Sequence, residues 1–276
     1  MKTIRSFTGA VAIVAAVSAA AFSATSAMAQ DMMAKIKEKG VLVVGVKADY
    51  KPFGFRDPSG GVVGLEPDLA ANIAKRLGVK LELVPVVSAN RMEFLKQGRI
   101  DLMIATMSDK PERRKMVQVI EPLYYSDSVN VLLAKTAPVK TWEDLKGKKI
   151  CATTGAFYNK DVAVKYGPEI LSFDGSEKPL LALKSGECIG YLYDQTFVVG
   201  KLLDDEWKQA YAMPLPGIME SPWAMAVGLG EDKFAAYLSD VTKEWMKTGF
   251  IVDLEKKWGV PPTDYSKRMN AQHKGA

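Results

Sequence analysis

Residues 41–46, VLVVGV, form a continuous apolar run rich in β-branched side chains. Such a run is typical of a strand that is buried on both faces of a parallel sheet. Two later runs, VKLELVPV at 79–86 and IDLMIA at 100–105, predict a second and a third strand.

The segments between these runs have helical patterns. Apolar residues recur at every fourth position over 65–77 and are followed by Gly78, while RMEFLKQ at 91–97 is followed by Gly98. Glycine is the usual residue just after the end of a helix. Three strands with two intervening helices form a βαβαβ unit, in which the loops after the strands meet at one edge of the sheet.

The alternation of strands and helices repeats after residue 140, so the fold class is α/β with two lobes. Two extended runs, YYSDSVNVLLAK at 124–135 and SPWAMAVGLG at 221–230, lie near the junctions. The second run could return the chain to the first lobe, but a simple tandem of two domains fits the pattern equally well. The polar end of the chain, which holds His273, is expected to lack a fixed structure.

The first 29 residues have the pattern of a secretory signal peptide. Lys2 and Arg5 precede the apolar run VAIVAAVSAAA, and small residues favour cleavage after Ala29. Gln30 stands where a lipid-anchored protein would carry cysteine. We therefore expect a free protein in the periplasm.

The amount and distribution of charge argue against a nucleic-acid-binding protein. The formal charge of the 276-residue chain is +5, and removing the two cations of the leader lowers it to +3 for the remaining 247 residues. The positive residues are scattered, without the blocks expected of a nucleic-acid binder.

The two cysteines, Cys151 and Cys188, survive the predicted cleavage. In an oxidising compartment an even count favours a disulfide. Closing a 37-residue loop would contribute roughly 3 to 4 kcal/mol by the chain-entropy model. A catalytic thiol pair is the alternative, but it lacks a CxxC spacing and a nearby histidine.

Ligands of open α/β sheets bind beyond the carboxyl ends of the strands. In the first lobe these positions hold Lys47, Asp49, Tyr50, Phe53, Asn90, Arg91, Thr106, Ser108 and Arg113. In the second lobe they hold Thr153, Thr154, Gly155, Phe157 and Asp194. Three cations on one edge would face a carboxylate on the other, which suits a small zwitterion with additional negative charge.

Templates for catalysis and metal binding are missing from the sequence. His273 is the only histidine, so neither a Ser-His-Asp nor a Cys-His arrangement is possible. There is no HExxH motif, cysteine–histidine cluster or EF-hand pattern, and GGVVG at 60–64 lacks the setting of a phosphate-binding loop. No catalytic residue, metal or cofactor is expected, and the sequence does not demand an enzyme.

Taken together, these residues resemble the family-3 solute-binding proteins of polar amino-acid ABC importers. The likeness spans the mature chain, in the segments GVLVVGVKADYKPFGFRD, GLEPDLAANIAKRLGVKLELVPV, NRMEFLKQGRIDLMIATM, PERRKMVQVIEPLYY, WEDLKGKKI and GYLYD. The resemblance implies two α/β sandwich lobes joined by two crossing strands, and so favours the return crossing. Lobe one would comprise residues 30–128 and 225–276, and lobe two residues 129–224.

The resemblance also implies roles for individual residues. Arg113 would clamp the ligand α-carboxylate, since guanidinium pairs with carboxylate in a bidentate manner. Thr106 and Ser108 would share the carboxylate and the amine. Asp194 would accept the α-ammonium, and Tyr50 would pack against the ligand.

The aspartate and glutamate binders of the family are similar in having cations at the positions of Lys47 and Arg91, which implies an acidic ligand. Alternatively, Lys47 is solvated and Arg91 forms a salt bridge between the lobes. In lobe two, TTGAFYN at 153–159 departs from the family pattern, with Ala156 and Phe157 in place of threonines. Thr153 remains a candidate contact there, and the departure leaves room for a neutral ligand.

The predicted function is that of a monomeric periplasmic receptor that closes over an amino acid and delivers it to a membrane ABC permease. A receptor for another polar or neutral amino acid, or one that feeds a separate sensor, is an alternative. An enzyme similar to the periplasmic cyclohexadienyl dehydratases is another, but it needs a carboxylic acid as proton donor in the cleft. No unassigned carboxylate of the sequence clearly fills that role.

Overall fold

The structure is a computed structural model that describes residues 31–275, so the predicted signal peptide lies outside the described residues. None of the helices in the described part is long and apolar enough to cross a membrane. The elements up to the first crossing strand are α1 (Met32–Lys39), β1 (Val41–Lys47), β2 (Asp49–Tyr50), β3 (Gly54–Arg56), β4 (Val62–Val63), α2 (Leu65–Leu77), β5 (Lys80–Val86), α3 (Arg91–Lys96), β6 (Leu102–Ser108), α4 (Pro111–Arg114), β7 (Gln118–Val119) and β8 (Tyr125–Ala134).

The remaining elements repeat the alternation and end in helices. They are a 3₁₀ helix (Glu143–Leu145), β9 (Lys149–Thr153), α5 (Tyr158–Tyr166), β10 (Glu169–Phe173), α6 (Glu177–Lys184), β11 (Gly190–Asp194), α7 (Gln195–Leu202), α8 (Asp205–Ala210), β12 (Tyr211–Ala212), β13 (Ile218–Val227), α9 (Asp232–Thr248), α10 (Phe250–Lys257) and α11 (Asp264–Lys274).

The three strands predicted for the first lobe are β1, β5 and β6. They are parallel, and β1 lies between the other two, with Val44 opposite both Leu83 and Leu102. Side chains of β1 enter two hydrophobic clusters, Val44 on one face of the sheet and Val43 on the other. This burial on both faces explains why the run VLVVGV is apolar throughout instead of alternating.

Two long strands connect the lobes at the centre of the main sheet. The strand order is β10-β9-β11-β8-β13-β6-β1-β5, in which β8 and β13 are antiparallel neighbours. On β13, Trp223 pairs with Tyr125 of β8 and with Ser108 of β6, so this strand returns the chain to the first lobe. The fold is therefore two-lobed with two crossings instead of a tandem. The predicted lobe boundaries at residues 129 and 224 stay predictions.

The predicted disulfide between Cys151 and Cys188 is confirmed. Cys151 lies on β9, and Cys188 lies just before the neighbouring strand β11, with 5.7 Å between the two Cα atoms. Both side chains are buried in the core of the second lobe.

Reduction of this disulfide is expected to lower the free energy of unfolding by roughly 2 to 5 kcal/mol, because it frees a long loop in the unfolded chain. Urea unfolding followed by circular dichroism, with and without reductant, measures the change. The double variant Cys151→Ala/Cys188→Ala is the control, since reductant should not alter its stability. An equal effect of reductant on this variant would show that the disulfide is not responsible.

The C-terminal segment is helical, so the expectation that it lacks a fixed structure is wrong. Helix α11 is capped by the Thr263 hydroxyl, which accepts a hydrogen bond from the Ser266 N–H at 3.2 Å. The buried Glu255 carboxylate fixes the same turn, because it accepts from the Ser266 hydroxyl at 2.5 Å and from the Thr263 N–H at 3.0 Å. A buried acceptor contributed by α10 thus fixes the first turn of a helix whose sequence is largely polar.

Candidate functional site

A narrow cavity lies between the strand ends of the first lobe and those of the second lobe. The residues that line it are Ser88, Arg91, Thr106, Ser108, Arg113, Ala156, Phe157, Tyr158, Tyr193 and Asp194. Its volume is ≈ 10 Å³, about the space that one water molecule needs. A ligand of amino-acid size can therefore enter only when the lobes move apart. Six of the predicted ligand-binding residues are in this lining: Arg91, Thr106, Ser108, Arg113, Phe157 and Asp194.

Arg113 reaches from α4 across the cavity to the second lobe. Its guanidinium donates to the Ser108 carbonyl at 2.9 Å and to the Gly155 carbonyl at 3.0 Å. Burial, together with the nearby charge of Arg91, lowers the pKa of Arg113 to about 10. The group is still charged at neutral pH, and its N–H groups that make no hydrogen bond with the described residues can bind an anion.

The neighbouring Arg114 has a different environment. Its side chain is 42% exposed and pairs with Asp109 at 2.7 Å and with Glu121 at 2.5 Å. The charge of Arg114 is therefore satisfied on the surface. Its pKa is raised, chiefly by the hydrogen bonds to Asp109 and Glu121.

Thr106 is held in an unusual backbone conformation by a buried carboxylate. Its φ is +48°, which is rare for a β-branched residue. The Thr106 N–H donates to Glu66 at 2.6 Å, and the Tyr124 hydroxyl donates to the same oxygen at 2.5 Å. Burial raises the pKa of Glu66 from 4.5 to about 7, although both hydrogen bonds act in the opposite direction.

Arg91 and Ser108 complete the first-lobe side of the cavity. Arg91 is 3% exposed and donates to the Ala105 carbonyl. Its Nε atom has no hydrogen-bond partner among the described residues. The Ser108 hydroxyl lies 2.8 Å from the Ser221 hydroxyl of the crossing strand β13.

The second-lobe side carries the carboxylate and an aromatic wall. Asp194, the last residue of β11, accepts a hydrogen bond from the Tyr158 hydroxyl at 3.0 Å. Burial, and after it the charge of Asp127, raises the pKa of Asp194 above its ordinary value. Phe157 stacks with the Lys110 ammonium, whose Nζ lies 3.6 Å from the ring centroid.

Three predicted contacts, Lys47, Tyr50 and Thr153, do not line the cavity. The Lys47 Nζ lies 2.8 Å from an oxygen of Asp49, and the ammonium is fully buried. The Tyr50 hydroxyl is 3.0 Å from that of Thr196. The Thr153 hydroxyl lies 2.7 Å from the Tyr191 hydroxyl and 3.1 Å from the Gly175 carbonyl. Their assignment to the ligand stays a prediction.

Several residues at the site carry no sequence signal that reveals their role. Glu66 lies in the first turn of α2, where an acidic residue is ordinary in sequence. In the structure its carboxylate accepts a hydrogen bond from the Thr106 N–H, on the side of Thr106 away from the cavity. Tyr158 and Tyr193 read as core aromatics but border the cavity. Asp49 follows Lys47 by two residues, and this spacing could have suggested a pair.

No group of three or more His, Cys, Asp or Glu side chains within residues 31–275 is placed to hold a metal ion. The charged groups at the cavity are instead two guanidinium groups and one carboxylate. This set can bind opposite charges on one small molecule.

Both a family model and a curated relative that match this chain are bacterial solute-binding proteins. The family model described as bacterial extracellular solute-binding proteins, family 3, matches residues 42–261. The ABC transporter glutamine-binding protein GlnH of Bacillus subtilis is 30% identical over 236 residues, which cover 83% of this chain and 85% of that protein.

Solved structures agree in fold. A crystal structure of a mutant of ArgBP from T. maritima superposes with a TM-score of 0.77 and 28% identity, covering 82% of this chain and 98% of that chain. The ancestral amino acid-binding protein AncCDT-1, described as a precursor of cyclohexadienyl dehydratase, has a TM-score of 0.74 and 27% identity, with coverage of 82% and 98%.

Proposed function

The chain belongs to the family-3 bacterial extracellular solute-binding proteins and is a solute-binding protein of an amino-acid ABC transporter, and from this premise we propose that its ligand is an acidic amino acid, glutamate or aspartate. The lobes open to admit the ligand, close over it, and present the closed form to the membrane permease. The predicted signal peptide and the family both favour the periplasm as its location.

The observation that carries this proposal is a pair of opposite buried charges without ionic partners. Arg113 is bonded to two carbonyl oxygens and Asp194 to a tyrosine hydroxyl. Neither has a salt bridge within the described residues. Buried charges are costly unless paired. The α-carboxylate and α-ammonium of an amino acid would pair with Arg113 and Asp194.

The preference for an acidic side chain follows from Arg91. This third buried charge also lacks an ionic partner among the described residues, and its Nε–H donates to none of their acceptors. A ligand carboxylate at this position would neutralise the cation. A lysine or arginine ligand would instead place like charges together in a poorly solvated cavity, which is a strong basis for exclusion.

Closure of the lobes is supported by contacts between them, one at the wall of the cavity and others away from it. The Arg113 guanidinium bonds Gly155 of the second lobe, and the Tyr50 hydroxyl meets Thr196 of α7. The Thr196 hydroxyl in turn donates to Asp127 on the crossing strand β8 at 2.6 Å. A ligand shifts the open and closed populations only by its differential affinity for the closed form, and it would gain this affinity from groups on both lobes.

Isothermal titration calorimetry of the mature protein, freed of ligand by unfolding and refolding, tests the proposal. We expect micromolar or tighter binding of L-glutamate or L-aspartate, with much weaker heats for L-glutamine and L-alanine and none for L-arginine. Binding of a neutral or basic amino acid without binding of either acid would retain the receptor and refute the acidic ligand. The place of Phe157 in the cavity wall would then be the first feature to test.

An enzyme on this scaffold is the second candidate, favoured by the likeness to AncCDT-1. A dehydratase needs a carboxylic acid that can donate a proton to the substrate. Two buried carboxyls near the site have raised pKa values. Glu66 lies behind Thr106 and does not line the cavity, whereas Asp194 lines it and is the group with which the ligand ammonium would pair. Conversion of prephenate to an aromatic keto acid, followed by absorbance, tests this candidate, and we expect no conversion.

A further inference from the structure

The ion pair between Lys47 and Asp49 lies at the end of β1, beside the candidate site. The Lys47 ammonium is fully buried, and the Asp49 oxygen at 2.8 Å is its only ionic partner within the described residues. Burial lowers the pKa of Lys47, and the charge of Asp49 opposes this effect. The positive charge that the sequence offered to an acidic ligand is thus matched by a carboxylate two residues away.

Asp49 is fixed in this position by the second lobe. Its other carboxylate oxygen accepts from the Ser176 N–H at 2.7 Å, and its backbone carbonyl accepts from the Ser176 hydroxyl. Ser176 is fully buried and directly precedes α6, where a carboxylate is favoured by the free N–H groups of the helix.

The shape of the second lobe admits this contact. Gly175 has a φ of +74°, and a Cβ atom added there would lie 2.9 Å from the Asp49 carboxylate. The Gly175 carbonyl is held by the Thr153 hydroxyl at 3.1 Å, so Thr153 supports the turn that receives Asp49. In the closed form the Asp49 carboxylate therefore occupies the space left by the missing side chain of Gly175 and accepts a hydrogen bond from the Ser176 N–H.

The pair is electrostatically connected to the cavity. The charges of Arg91 and Lys47 both favour the ionised form of Asp194, although burial, the largest effect, raises the pKa of that carboxyl. Lys47 therefore influences charges at the cavity without lining it. The net positive charge near the ligand side chain is lower when a carboxylate neutralises Lys47 than when Lys47 is unpaired.

We propose that Asp49 is a specificity-determining residue, which neutralises Lys47 in the closed form. Among the described residues that line the cavity, Arg113 would hold the α-carboxylate, and Arg91 is then the unpaired cation left for the ligand side chain. This inference rests on the proposed function, because it concerns how strongly the receptor prefers an acidic amino acid over its amide. The Asp49 carboxylate pairs with Lys47, which would otherwise pair with the side-chain carboxylate of the ligand.

The test is the ratio of the dissociation constants for L-glutamine and L-glutamate, measured by calorimetry. The ratio isolates the side-chain charge, because a change in lobe closure alters both constants together. Asp49→Asn, which keeps the shape of the side chain, is expected to raise the ratio about tenfold, since the ligand carboxylate becomes the counterion of Lys47. Lys47→Met is expected to lower the ratio by a similar factor, because Asp49 then repels the acidic ligand.

Ser176→Ala is the matched control. It removes the hydroxyl contact with the Asp49 carbonyl and changes no charge, so both constants are expected to shift together and leave the ratio unaltered. Thermal unfolding monitored by circular dichroism checks that each variant is folded. The Asp49→Asn/Lys47→Met double variant, which removes both charges and leaves none unpaired, is expected to restore a ratio near that of the unaltered protein.

The outcomes separate the two proposals. A ratio that stays within about twofold in both single variants would refute the role of Asp49, because an exposed or distant charge has little effect. An equal shift of the ratio in Ser176→Ala, which changes no charge, would show that the charge of Asp49 is not responsible and would also refute its role. If the unaltered protein binds neither L-glutamate nor L-aspartate, the proposed acidic ligand itself fails.

Discussion

Replacing Arg113 by methionine is expected to weaken the binding of the amino-acid ligand by about a hundredfold to a thousandfold. The substitution keeps a long side chain but removes the cation that would hold the α-carboxylate, and it leaves that carboxylate buried without a partner. It also removes the bonds to the Ser108 and Gly155 carbonyls, the second of which joins the two lobes. Arg113→Lys is expected to have an intermediate effect, since an ammonium cannot form the bidentate pair.

The adjacent arginine provides a matched control for this measurement. Arg114→Met removes the same charge one residue away, but Arg114 pairs with Asp109 and Glu121 at the surface. The dissociation constant of this variant is expected to stay within about twofold of the original, because exposed ion pairs contribute little. Calorimetry of both variants, with thermal unfolding as the test of folding, decides the matter. Equal losses in the two variants would show that net charge, and not a specific clamp, attracts the ligand.

The contrast between Arg113 and Arg114 shows which features of the site the sequence can predict and which it cannot. Sequence spacing places both at the end of the third predicted strand, and composition cannot distinguish them. The resemblance to a family selects Arg113, and the structure supplies a physical reason: one arginine points into the cavity and the other reaches two surface carboxylates. The strands themselves were predictable, because burial on both faces imposes an apolar run that is visible in the sequence.

The partners of the polar side chains were not predictable in the same way. The rule that ligands bind beyond strand ends places Lys47, Tyr50 and Thr153 at the correct edge. It does not state the direction of a side chain or which neighbour satisfies it. Asp49 neutralises the first of these residues, and Thr196 and Tyr191 bond the other two. Each of these contacts depends on the tertiary arrangement, which pattern and spacing do not contain.

The affinity for the ligand is expected to depend strongly on pH through Asp194. Burial raises the pKa of this carboxyl, so near neutral pH a substantial part of the ligand-free closed form carries a proton on it. The ligand ammonium requires the ionised carboxylate, and binding therefore releases a proton. Below the raised pKa, affinity should fall by up to about tenfold per pH unit. Calorimetry at about pH 5.5 in two buffers of different ionisation enthalpy counts the released proton, and identical heats in the two buffers would contradict the prediction.

The control separates Asp194 from Glu66, a buried carboxyl that lies behind Thr106. Glu66 also has a raised pKa, about 7, but its partners are Thr106 and Tyr124. Glu66→Gln keeps an acceptor for the Thr106 N–H and is expected to retain the pH dependence of affinity. Asp194→Asn is expected to bind weakly and without that dependence. If Glu66→Gln loses the pH dependence of affinity, then Glu66 and not Asp194 is the carboxyl responsible, and the prediction is wrong.

The same carboxyls should give the ligand-free protein the opposite pH trend in stability. A carboxyl whose pKa is higher in the folded chain than in the unfolded chain binds more protons when folded, so its contribution to stability decreases as the pH rises. For Glu66 the interval runs from its ordinary pKa of 4.5 to about 7, and the raised pKa values of Asp127 and Asp194 act in the same direction. The ligand-free protein should therefore unfold at lower urea concentration at about pH 8 than at about pH 5. Saturating ligand should reduce or reverse this difference, because its ammonium makes the ionised form of Asp194 the stable one.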